Sequence, residues 1–275
     1  MSLSIVIAGN VNHELMELAL EKTCNAVPYN EILVFSDKQL NFKRPYKFYK
    51  TDKITGIKTY CDFIFNDLYQ FVTTDQVMII QYDGFAVNAD LWSDNFLNYD
   101  ILGPFININM EGFPRLFKSL FTEEEMVEIR KEKWRAGGGG FTIRSKKLLE
   151  ITSKDKTVLP YFKRLDIEDA LFDCEDVALS FKYKKYLQEK YNIKYAPVDI
   201  ALDFAVEHTT GYSCSLGFHG WYNTPLFLSE QEVLYFMKNH KNKLQTFERS
   251  PHKMGLFIGF CINRGYEKVT QQLLG

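Results

Sequence analysis

The fold is decided by the stretch Gln76-Val77-Met78-Ile79-Ile80-Gln81-Tyr82-Asp83-Gly84. Its first part is apolar without the alternation of a half-exposed strand, which predicts a strand buried on both faces. Strands of this kind lie in the middle of parallel sheets. Because the apolar run stops at Tyr82, we expect Asp83 at the carboxyl end of a central strand.

The chain before this strand alternates short apolar runs with helical patterns. Strands are expected at residues 4–8 and 31–35, and helices at residues 14–24 and 58–73. Strand, helix and strand at this spacing predict a parallel sheet with right-handed crossovers. The sequence therefore indicates the α/β class, with a Rossmann-like parallel sheet in this part of the chain.

The pattern changes after Asp83. Strands are expected at residues 100–103 and 141–144, and a helix from the capping box at Thr122 to residue 133. A further amphipathic helix is expected from Asp173 to residue 191, and a second capping box at Ser229 begins a late helix. Because no linker or repeat interrupts the chain, residues 1–275 are predicted to form a single domain with a mixed, mainly parallel sheet flanked by helices.

The composition is that of a globular protein of ordinary charge. The 275 residues are 46% apolar and 25% charged, which excludes a disordered or fibrous chain. The net charge of −2 argues against a nucleic-acid partner, because such proteins usually carry a basic surface. The 23 Phe and 16 Tyr supply flat rings that could stack on a base or a sugar, although most are expected in the core.

The sequence also bears on location. Five cysteines without paired spacing indicate reduced thiols. No stretch approaches the roughly 20 apolar residues of a membrane-spanning helix, and no basic leader precedes the first strand. We therefore expect a cytoplasmic protein without a transmembrane segment. The apolar run at residues 255–262 is too short to span a bilayer but leaves peripheral membrane contact open.

Asp83 is the first candidate for chemistry. Open parallel sheets bind their ligands at the carboxyl ends of the strands. A carboxylate at that place, followed by Gly84, suits a divalent cation that bridges a diphosphate. The alternative is a turn aspartate, since Asp-Gly is a common turn pair, and the residue types alone do not decide between the two.

A tract of four glycines at residues 137–140 removes every side chain from that stretch of backbone. Each glycine inside regular structure costs roughly 0.5–1 kcal/mol relative to alanine, so the clearance should serve a purpose. One interpretation is the approach of a sugar or phosphate to main-chain amides, and the other is a hinge or bulge. The tract is not a P-loop, because no Lys-Ser or Lys-Thr follows at the required spacing.

Two acids and one histidine complete the candidates. Glu175 and Asp176 stand at the expected start of a helix, where the helix dipole stabilises negative side chains. One of them could instead be the general base that deprotonates an acceptor hydroxyl. His219 is framed by glycines and aromatic residues and could ligate a metal or contact a phosphate, although an isolated histidine is more often a loop or core residue.

Seven segments of the chain, between residues 5 and 223, share their order with a known family. They are Val77-Met78-Ile79-Ile80-Gln81-Tyr82-Asp83-Gly84-Phe85, Trp92 with Phe96, Tyr99-Asp100-Ile101-Leu102-Gly103-Pro104-Phe105, Gly138-Gly139-Gly140-Phe141-Thr142-Ile143-Arg144-Ser145, Glu175-Asp176-Val177, Phe204-Ala205-Val206-Glu207 and Gly217-Phe218-His219-Gly220. In this order they resemble the bacterial and viral glycosyltransferases of GT-A type, many of which are described only as domains of unknown function. Each segment alone is a weak signal, and the common order makes the resemblance specific.

The resemblance implies a nucleotide-binding part at residues 1–105, an acceptor-binding part at residues 106–225 and a C-terminal helical segment at residues 226–275. It also implies that Asp83 and His219 hold Mn²⁺ or Mg²⁺ against the donor diphosphate. Gln81 stands where the family's D-x-D motif has its first acid. The motif thus keeps one carboxylate, and its affinity for metal is expected to be reduced or lost.

The reaction that the resemblance implies moves a sugar from a nucleotide-sugar donor to a hydroxyl of a glycan or small-molecule acceptor, as in polysaccharide biosynthesis. A uridine diphosphate sugar is the first expectation for the donor. Asp176 or Glu175 is then the base, as in inverting galactosyltransferases, with Asp176 slightly favoured. Donor and sugar contacts are expected from Asp37, Gln81, Tyr82, Asp83, Gly138, Gly139, Gly140 and Arg144. For Asp37, which follows the strand at residues 31–35, the alternative is a turn residue.

Two other classes stay open. A nucleotidyltransferase shares the nucleotide-binding half, but it normally needs a second acid and a basic glycine-rich loop, and the loop at residues 8–13 has neither Lys nor Arg. A non-catalytic sugar-binding or scaffold protein could keep the same fold, because fold does not imply function. The absence of an acid at Gln81 favours this second alternative over the first.

Overall fold

A six-stranded sheet forms the centre of the part of the protein that the structure describes. This structure is a computed structural model, and it describes residues 1–107, 113–132, 134–207, 214–240 and 251–274. The strands are β1 (Leu3–Ala8), β2 (Glu31–Ser36), β3 (Lys47–Lys50), β4 (Gln76–Ile80), β5 (Gly84–Ala86), β6 (Ile101–Leu102), β7 (Phe105–Asn107), β8 (Trp134–Ala136), β9 (Phe141–Ser145), β10 (Tyr161–Lys163), β11 (Leu171–Asp173), β12 (Ala205–Val206) and β13 (Gly217–His219).

The helices flank this sheet and follow it along the chain. They are α1 (His13–Ala26), α2 (Ile57–Asn66), α3 (Phe113–Leu120), α4 (Glu123–Arg130), α5 (Lys146–Lys154), α6 (Glu175–Val177), α7 (Lys184–Tyr191), α8 (Val198–Phe204), α9 (Thr224–Phe227), α10 (Glu230–Asn239), α11 (Pro251–Asn263) and α12 (Glu267–Leu274). The capping boxes predicted at Thr122 and Ser229 open α4 and α10. Residue 133, the predicted end of the first of these helices, lies outside the described residues.

The central sheet has the strand order β3-β2-β1-β4-β9-β6. Strands β3, β2, β1 and β4 are parallel, whereas β9 runs antiparallel to both of its neighbours. The predicted α/β fold, a single domain built on a mixed and mainly parallel sheet, is confirmed. The finer division of the chain near residues 105 and 225 stays a prediction.

Burial on both faces explains why the strands at the middle of the sheet are apolar throughout. All five residues of β4 are buried. On one face, Leu15 and Leu20 of α1 share a core with Ile5 of β1. On the other face, Ile64 of α2 shares a core with Val77 of β4. Each such aliphatic side chain stabilises the fold by about 1.5–3 kcal/mol when fully buried, so the helices on both faces contribute to the stability of this sheet.

A second, smaller sheet stands beside the carboxyl end of β4 and has the order β12-β13-β5. Its register pairs His219 with Gly84 and Phe218 with Val206. The residue that follows β12 is Glu207. The small sheet therefore brings Glu207, His219 and the turn at Asp83 to one place, although they are far apart in the sequence.

The helix expected at residues 58–73 is shorter than predicted. Helix α2 ends at Asn66, and a 3-10 turn at Leu68–Gln70 follows it. This tighter turn places Leu68 and Val72 in the core, where both are almost fully buried. The helical pattern in the sequence was correct, but packing against the sheet ends the α-helix early.

The continuous helix predicted from Asp173 to residue 191 is wrong. The chain forms the single turn α6, then a π-helical segment at Ala178–Lys182, and only then α7. The carbonyl of Ser180 accepts a hydrogen bond from Arg135 at 3.0 Å, and its hydroxyl donates to the carbonyl of Gly137 at 2.9 Å. Because these bonds to another part of the chain compete with the helical ladder, the helix is interrupted.

None of the helices in the described residues is both long enough and apolar enough to cross a membrane.

Asp155 joins the end of α5 to α7. Its carboxylate accepts hydrogen bonds from the hydroxyls of Tyr186 at 2.6 Å and Tyr191 at 2.7 Å, and from the ammonium of Lys190 at 3.1 Å. The two tyrosine hydroxyls, which favour the charged form, hold the pKa of Asp155 well below its usual range. Asp155 is thus a polar anchor between two helices.

Replacing this anchor by Asp155→Asn should lower the free energy of unfolding by about 1–3 kcal/mol at pH 7, because hydrogen bonds to a charged group are lost. The folded-state pKa of Asp155 is depressed, so its contribution to stability is complete above the unfolded-state pKa of about 3.9 and is lost progressively as the pH falls from there toward the folded-state pKa. Urea unfolding at several pH values should show the difference between the two proteins narrowing below about pH 4. The exposed Asp90→Asn is the control, and a difference that does not depend on pH would contradict the anchor.

Candidate functional site

The turn after β4 is built into the protein rather than exposed on its surface. Gln81 and Gly84 exchange two backbone hydrogen bonds, at 2.9 and 3.1 Å. The carbonyl of Asp83 accepts a third from the amide of Gly220 at 2.8 Å, which ties the turn to the end of β13. Asp83 itself is only 8% exposed. A turn aspartate with no further role is normally solvated, so the burial favours a function for Asp83.

Glu207 and His219 form a close pair across β12 and β13. The Oε1 atom of Glu207 lies 2.8 Å from Nδ1 of His219. Both side chains are mostly buried, with 13% and 20% of their surfaces exposed. Since a carboxylate can only accept a hydrogen bond, Nδ1 must carry the hydrogen, and Nε2 is the atom left for another partner.

The glycine tract gives each of these side chains its place. A Cβ atom on Gly138 would lie 2.9 Å from Oε2 of Glu207, and one on Gly139 would lie 3.2 Å from Oδ2 of Asp176. A Cβ atom on Gly140 would overlap the imidazole ring of His219. Gly140 also has a φ of +78°, which few other residues adopt readily. Three neighbouring glycines thus accommodate three ionisable side chains that come from three other parts of the chain.

Asp176 is held at this tract by main-chain donors. The amide of Gly139 donates to Oδ2 at 2.9 Å, and the amide of Val177 donates to Oδ1 at 2.8 Å. The thiol of Cys174 also donates to Oδ1. Burial, followed by the negative charge of Glu175, raises the pKa of Asp176 above the ordinary value for an aspartate. A carboxylate with a raised pKa and a fixed orientation has the properties of a general base.

Glu175 has a different partner and a different environment. Its Oε1 atom accepts a hydrogen bond from Nη2 of Arg144 at 2.9 Å, and its Oε2 atom accepts a weak one from Sγ of Cys61 at 3.4 Å. Arg144 is 1% exposed and Glu175 is 6% exposed. Arg144 and Glu175 therefore form a buried ion pair next to Asp176. The sequence predicted Arg144 to contact the donor and Glu175 as one of two possible bases.

The carboxylates create a field that favours positive charge at His219. Burial alone disfavours the imidazolium, but the carboxylate of Glu207, helped by Asp83 and Asp176, outweighs it and raises the pKa of His219 to about 9. An environment that attracts a proton to this ring also attracts a cation. The negative charges around His219 therefore favour the binding of a cation or of a ligand that brings a bound cation with it.

The side chains of this site could hold a divalent cation only together with ligands from a substrate. Among the described residues, the one set of three potential ligands whose atoms lie within 4.8 Å of one another is Cys174, Glu175 and Asp176, and Arg144 already neutralises its central member. Asp83 and His219 do not complete such a closed set. They suit a cation that takes one or two ligands from the protein and the others from substrate phosphates, as Mg²⁺ commonly does. An imidazole ligand favours Mn²⁺ over Mg²⁺.

A cavity of about 350 Å³ lies next to this turn. It stands where β1 has β2 on one side and β4 on the other, the switch point at which open sheets bind ligands. Its walls include Gly9 and Asn10 after β1, Tyr60 of α2, and Gln81 and Tyr82 after β4. Gln81 and Tyr82 thus line a pocket at the place expected for a donor.

A larger cleft of about 710 Å³ lies between β3 and α2. It meets the switch-point pocket at Ile54. Neither cavity is lined by Asp83, Asp176, Glu207 or His219, but the switch-point pocket includes Gln81 and Tyr82 of the turn at Asp83, and the larger cleft includes no residue of that turn.

Asp37 stands at the carboxyl end of β2, as predicted, but it is tied to the protein. Its Oδ1 atom lies 2.7 Å from Nε2 of His13, and its amide donates to Oδ1 of Asn10 at 2.9 Å. Its side chain is 44% exposed and does not line the switch-point pocket. A contact with a base or ribose stays a prediction.

Glu207 is the site residue that sequence reasoning missed. In the sequence it stands only as the last residue of a family segment, with no role of its own. A usable signal exists, since Glu207 follows a short apolar strand in the way that Asp83 follows β4. Tyr60 was missed as well, because nothing in the helical pattern of α2 distinguishes a residue that faces a pocket from one that faces solvent.

The fit between Gly140 and His219 can be measured with Gly140→Ala. The left-handed backbone should cost about 1–3 kcal/mol and the overlap with the imidazole about 1–3 kcal/mol more in the free energy of unfolding. Gly265→Ala is the matched control, because Gly265 has a φ of +67° and no atom within 4 Å of the place that its Cβ would take. If urea unfolding gives equal losses for the two variants, the overlap with His219 is wrong.

Glu175→Gln should destabilise the protein by about 3–5 kcal/mol, because it leaves the buried charge of Arg144 without compensation. The same substitution at the exposed pair of Glu150 and Lys154 should change stability little. Urea unfolding of both variants makes the comparison. A Glu175→Gln protein as stable as the Glu150→Gln protein would contradict the buried ion pair.

Comparisons with known proteins identify a family but no activity. No curated protein matches the chain. Among solved structures, one described as "Crystal Structure of a Mycobacterial Protein" aligns at 9% identity with a TM-score of 0.40, and covers 70% of this chain and 63% of its own. The chain thus spans less than two thirds of that protein. Residues 43–219 match the family described as "Protein of unknown function (DUF5672)", and this region includes Asp83, the glycine tract, Asp176, Glu207 and His219. Because the match covers well over half of the sequence, the chain belongs to this family.

Proposed function

We propose that the protein is a glycosyltransferase that moves a sugar from a nucleotide-sugar donor to a hydroxyl group of an acceptor. The observation that carries the proposal is the convergence of Asp176, Glu207 and His219 on three consecutive glycines beside Asp83. The resemblance of the sequence to glycosyltransferases of GT-A type supports the same reaction.

The donor is assigned to the pocket at the switch point. Its nucleotide would lie along Gly9 and Asn10 after β1, and its diphosphate would reach the turn at Gln81 and Asp83. The sugar would then stand near the glycine tract, where the amide of Gly139 already fixes Asp176. A pocket of about 350 Å³ is of the size expected for small ligands.

Asp83 and Nε2 of His219 are the atoms that would hold a divalent cation, Mn²⁺ before Mg²⁺. A bound cation would neutralise the charge that develops on the departing nucleoside diphosphate. Gln81, in place of a second acid, leaves the protein with fewer charges at this turn. Donor phosphates would then supply much of the binding energy for the ion, so that metal and donor bind together.

Asp176 is the proposed base. Its Oδ2 atom accepts one hydrogen bond, from Gly139, and an ionised carboxylate oxygen can accept a second. The acceptor hydroxyl gives its proton to this oxygen while its own oxygen bonds to the anomeric carbon. The bond between that carbon and the diphosphate oxygen breaks, and the electron pair leaves with the diphosphate. Separate positions for the base and the leaving group suit a single displacement.

The buried pair of Arg144 and Glu175 acts through Asp176. The charge of Glu175 helps to raise the pKa of its neighbour, and the ion pair with Arg144 keeps Glu175 away from the acceptor. Glu175 and Arg144 are therefore proposed to position Asp176 rather than to touch either sugar.

The test is Asp176→Asn, assayed with a panel of nucleotide sugars and Mn²⁺. Turnover, followed as transfer or as slow donor hydrolysis, should fall by about 10²–10⁴-fold, because the base is removed. Binding of the nucleotide sugar, measured by calorimetry, should persist. Glu232→Gln on α10, which removes a carboxylate paired with Lys22, is the control and should keep both.

Two results would count against this proposal. Full turnover in Asp176→Asn would remove Asp176 as the base. A wild-type protein that binds a nucleotide sugar tightly and turns over none of the panel would favour the non-catalytic binding protein instead.

A further inference from the structure

We propose that Glu207 is a positioning residue that orients His219 so that its Nε2 atom is the ligand for the divalent cation of the site. This inference rests on the cation site of the proposed function, but not on the transfer of a sugar. It assigns a role to a carboxylate that has none in the reaction described so far.

The first support is the geometry of the pair. Oε1 of Glu207 lies 2.8 Å from Nδ1 of His219, which fixes the hydrogen on Nδ1. Histidines that bind metals almost always donate their other ring nitrogen to a carboxylate, a carbonyl or water, and this partner sets the orientation and the basicity of the ring. Glu207 stands in that relation to His219.

The second support is that Glu207 is itself held in place. Its carbonyl accepts hydrogen bonds from the hydroxyl of Tyr222 at 2.6 Å and from Nδ2 of Asn223 at 2.9 Å. The same Nδ2 atom donates to the carbonyl of His219 at 2.7 Å. Asn223 thus clamps the backbones of both members of the pair, so their distance does not depend on side-chain contact alone.

The third support comes from the glycines on the other side. Gly138 leaves room for Oε2 of Glu207, and Gly140 leaves room for the imidazole ring of His219. The ring is therefore confined between a carboxylate and a backbone. An imidazole that served only in a surface ion pair would need no such clearance, whereas a metal ligand has to be held in one orientation.

The experiment measures binding of Mn²⁺ alone to the full chain, by calorimetry and by electron spin echo spectroscopy of the bound ion. A nitrogen ligand produces a characteristic modulation of the echo. The wild-type protein should show this modulation, and His219→Ala should lose it. Glu207→Ala should weaken Mn²⁺ binding by about 10–100-fold and lose or reduce the modulation.

Glu207→Gln keeps a group that can accept the hydrogen bond from Nδ1 and removes only the charge. It should therefore retain the nitrogen modulation while binding Mn²⁺ less tightly than the wild type. This variant keeps the proposal testable if Glu207→Ala does not fold, as judged by circular dichroism. Glu232→Gln is the matched control for the loss of one negative charge and should bind Mn²⁺ as the wild type does.

The proposal is overturned if Glu207→Ala, or Glu207→Gln where the former does not fold, keeps both the wild-type affinity and the full modulation. It is also overturned if the wild-type protein binds no Mn²⁺ at millimolar concentrations of the ion, or binds it without a nitrogen signal. If the variants change Mn²⁺ affinity and nitrogen modulation as expected, but the wild-type protein neither binds nor turns over any nucleotide sugar, only the proposed function is contradicted. The two failures are therefore distinguishable.

Discussion

The site depends on one steric constraint, the absence of side chains at Gly138, Gly139 and Gly140. The imidazole of His219 occupies the space that a Cβ atom would take at Gly140. Carboxylate oxygens of Glu207 and Asp176 lie 2.9 and 3.2 Å from the places that Cβ atoms would take at Gly138 and Gly139. Four consecutive glycines cost conformational entropy, and this cost is offset only if the clearance allows contacts that no other residues permit. Here it lets three ionisable side chains approach one strand of backbone. The glycine tract therefore has a structural reason in the packing of the protein's own side chains, whether or not a ligand also contacts it.

Bringing acids together in a partly buried place is unfavourable unless each has its own compensation. Glu175 has the guanidinium of Arg144, Glu207 has the imidazole of His219, and Asp176 has two main-chain amides. The compensation for Asp176 is the weakest of the three because amides carry only partial charges. Burial and the negative charge of Glu175 raise the pKa of Asp176, and the hydrogen bonds that it accepts do not offset them.

Features that depend on the local hydrophobic pattern could be predicted from the sequence. Features that depend on which strands pair with each other, and in which register, could not. The strand at Gln76–Ile80 and the position of Asp83 follow from hydrophobic runs, which report burial directly. Glu207 also follows a short apolar strand, but this pattern does not reveal its partner, because Glu207 meets His219 only through the pairing of Val206 with Phe218. The broken helix after Asp176 was also out of reach. Arg135 donates a hydrogen bond to the carbonyl of Ser180 where the helix is interrupted. The helical pattern of residues 173–191 does not predict this bond, because Arg135 lies in another part of the chain.

Gln81 stands where the D-x-D motif that the sequence resembles has its first acid. In the proposed cation site, another carboxylate can supply the missing negative charge. A strand-end motif with two carboxylates brings two negative charges to a divalent cation directly. In the proposed cation site Asp83 would bring one. Glu207 would bring the second through the ring of His219, since an imidazole that has released its Nε2 proton to make room for the cation, and that donates from Nδ1 to a carboxylate, forms a pair with one net negative charge. The total charge that faces a cation is then unchanged, while the second charge stands farther away. Such a site should hold its metal loosely alone and firmly with donor phosphates, because the attraction between charges falls with distance.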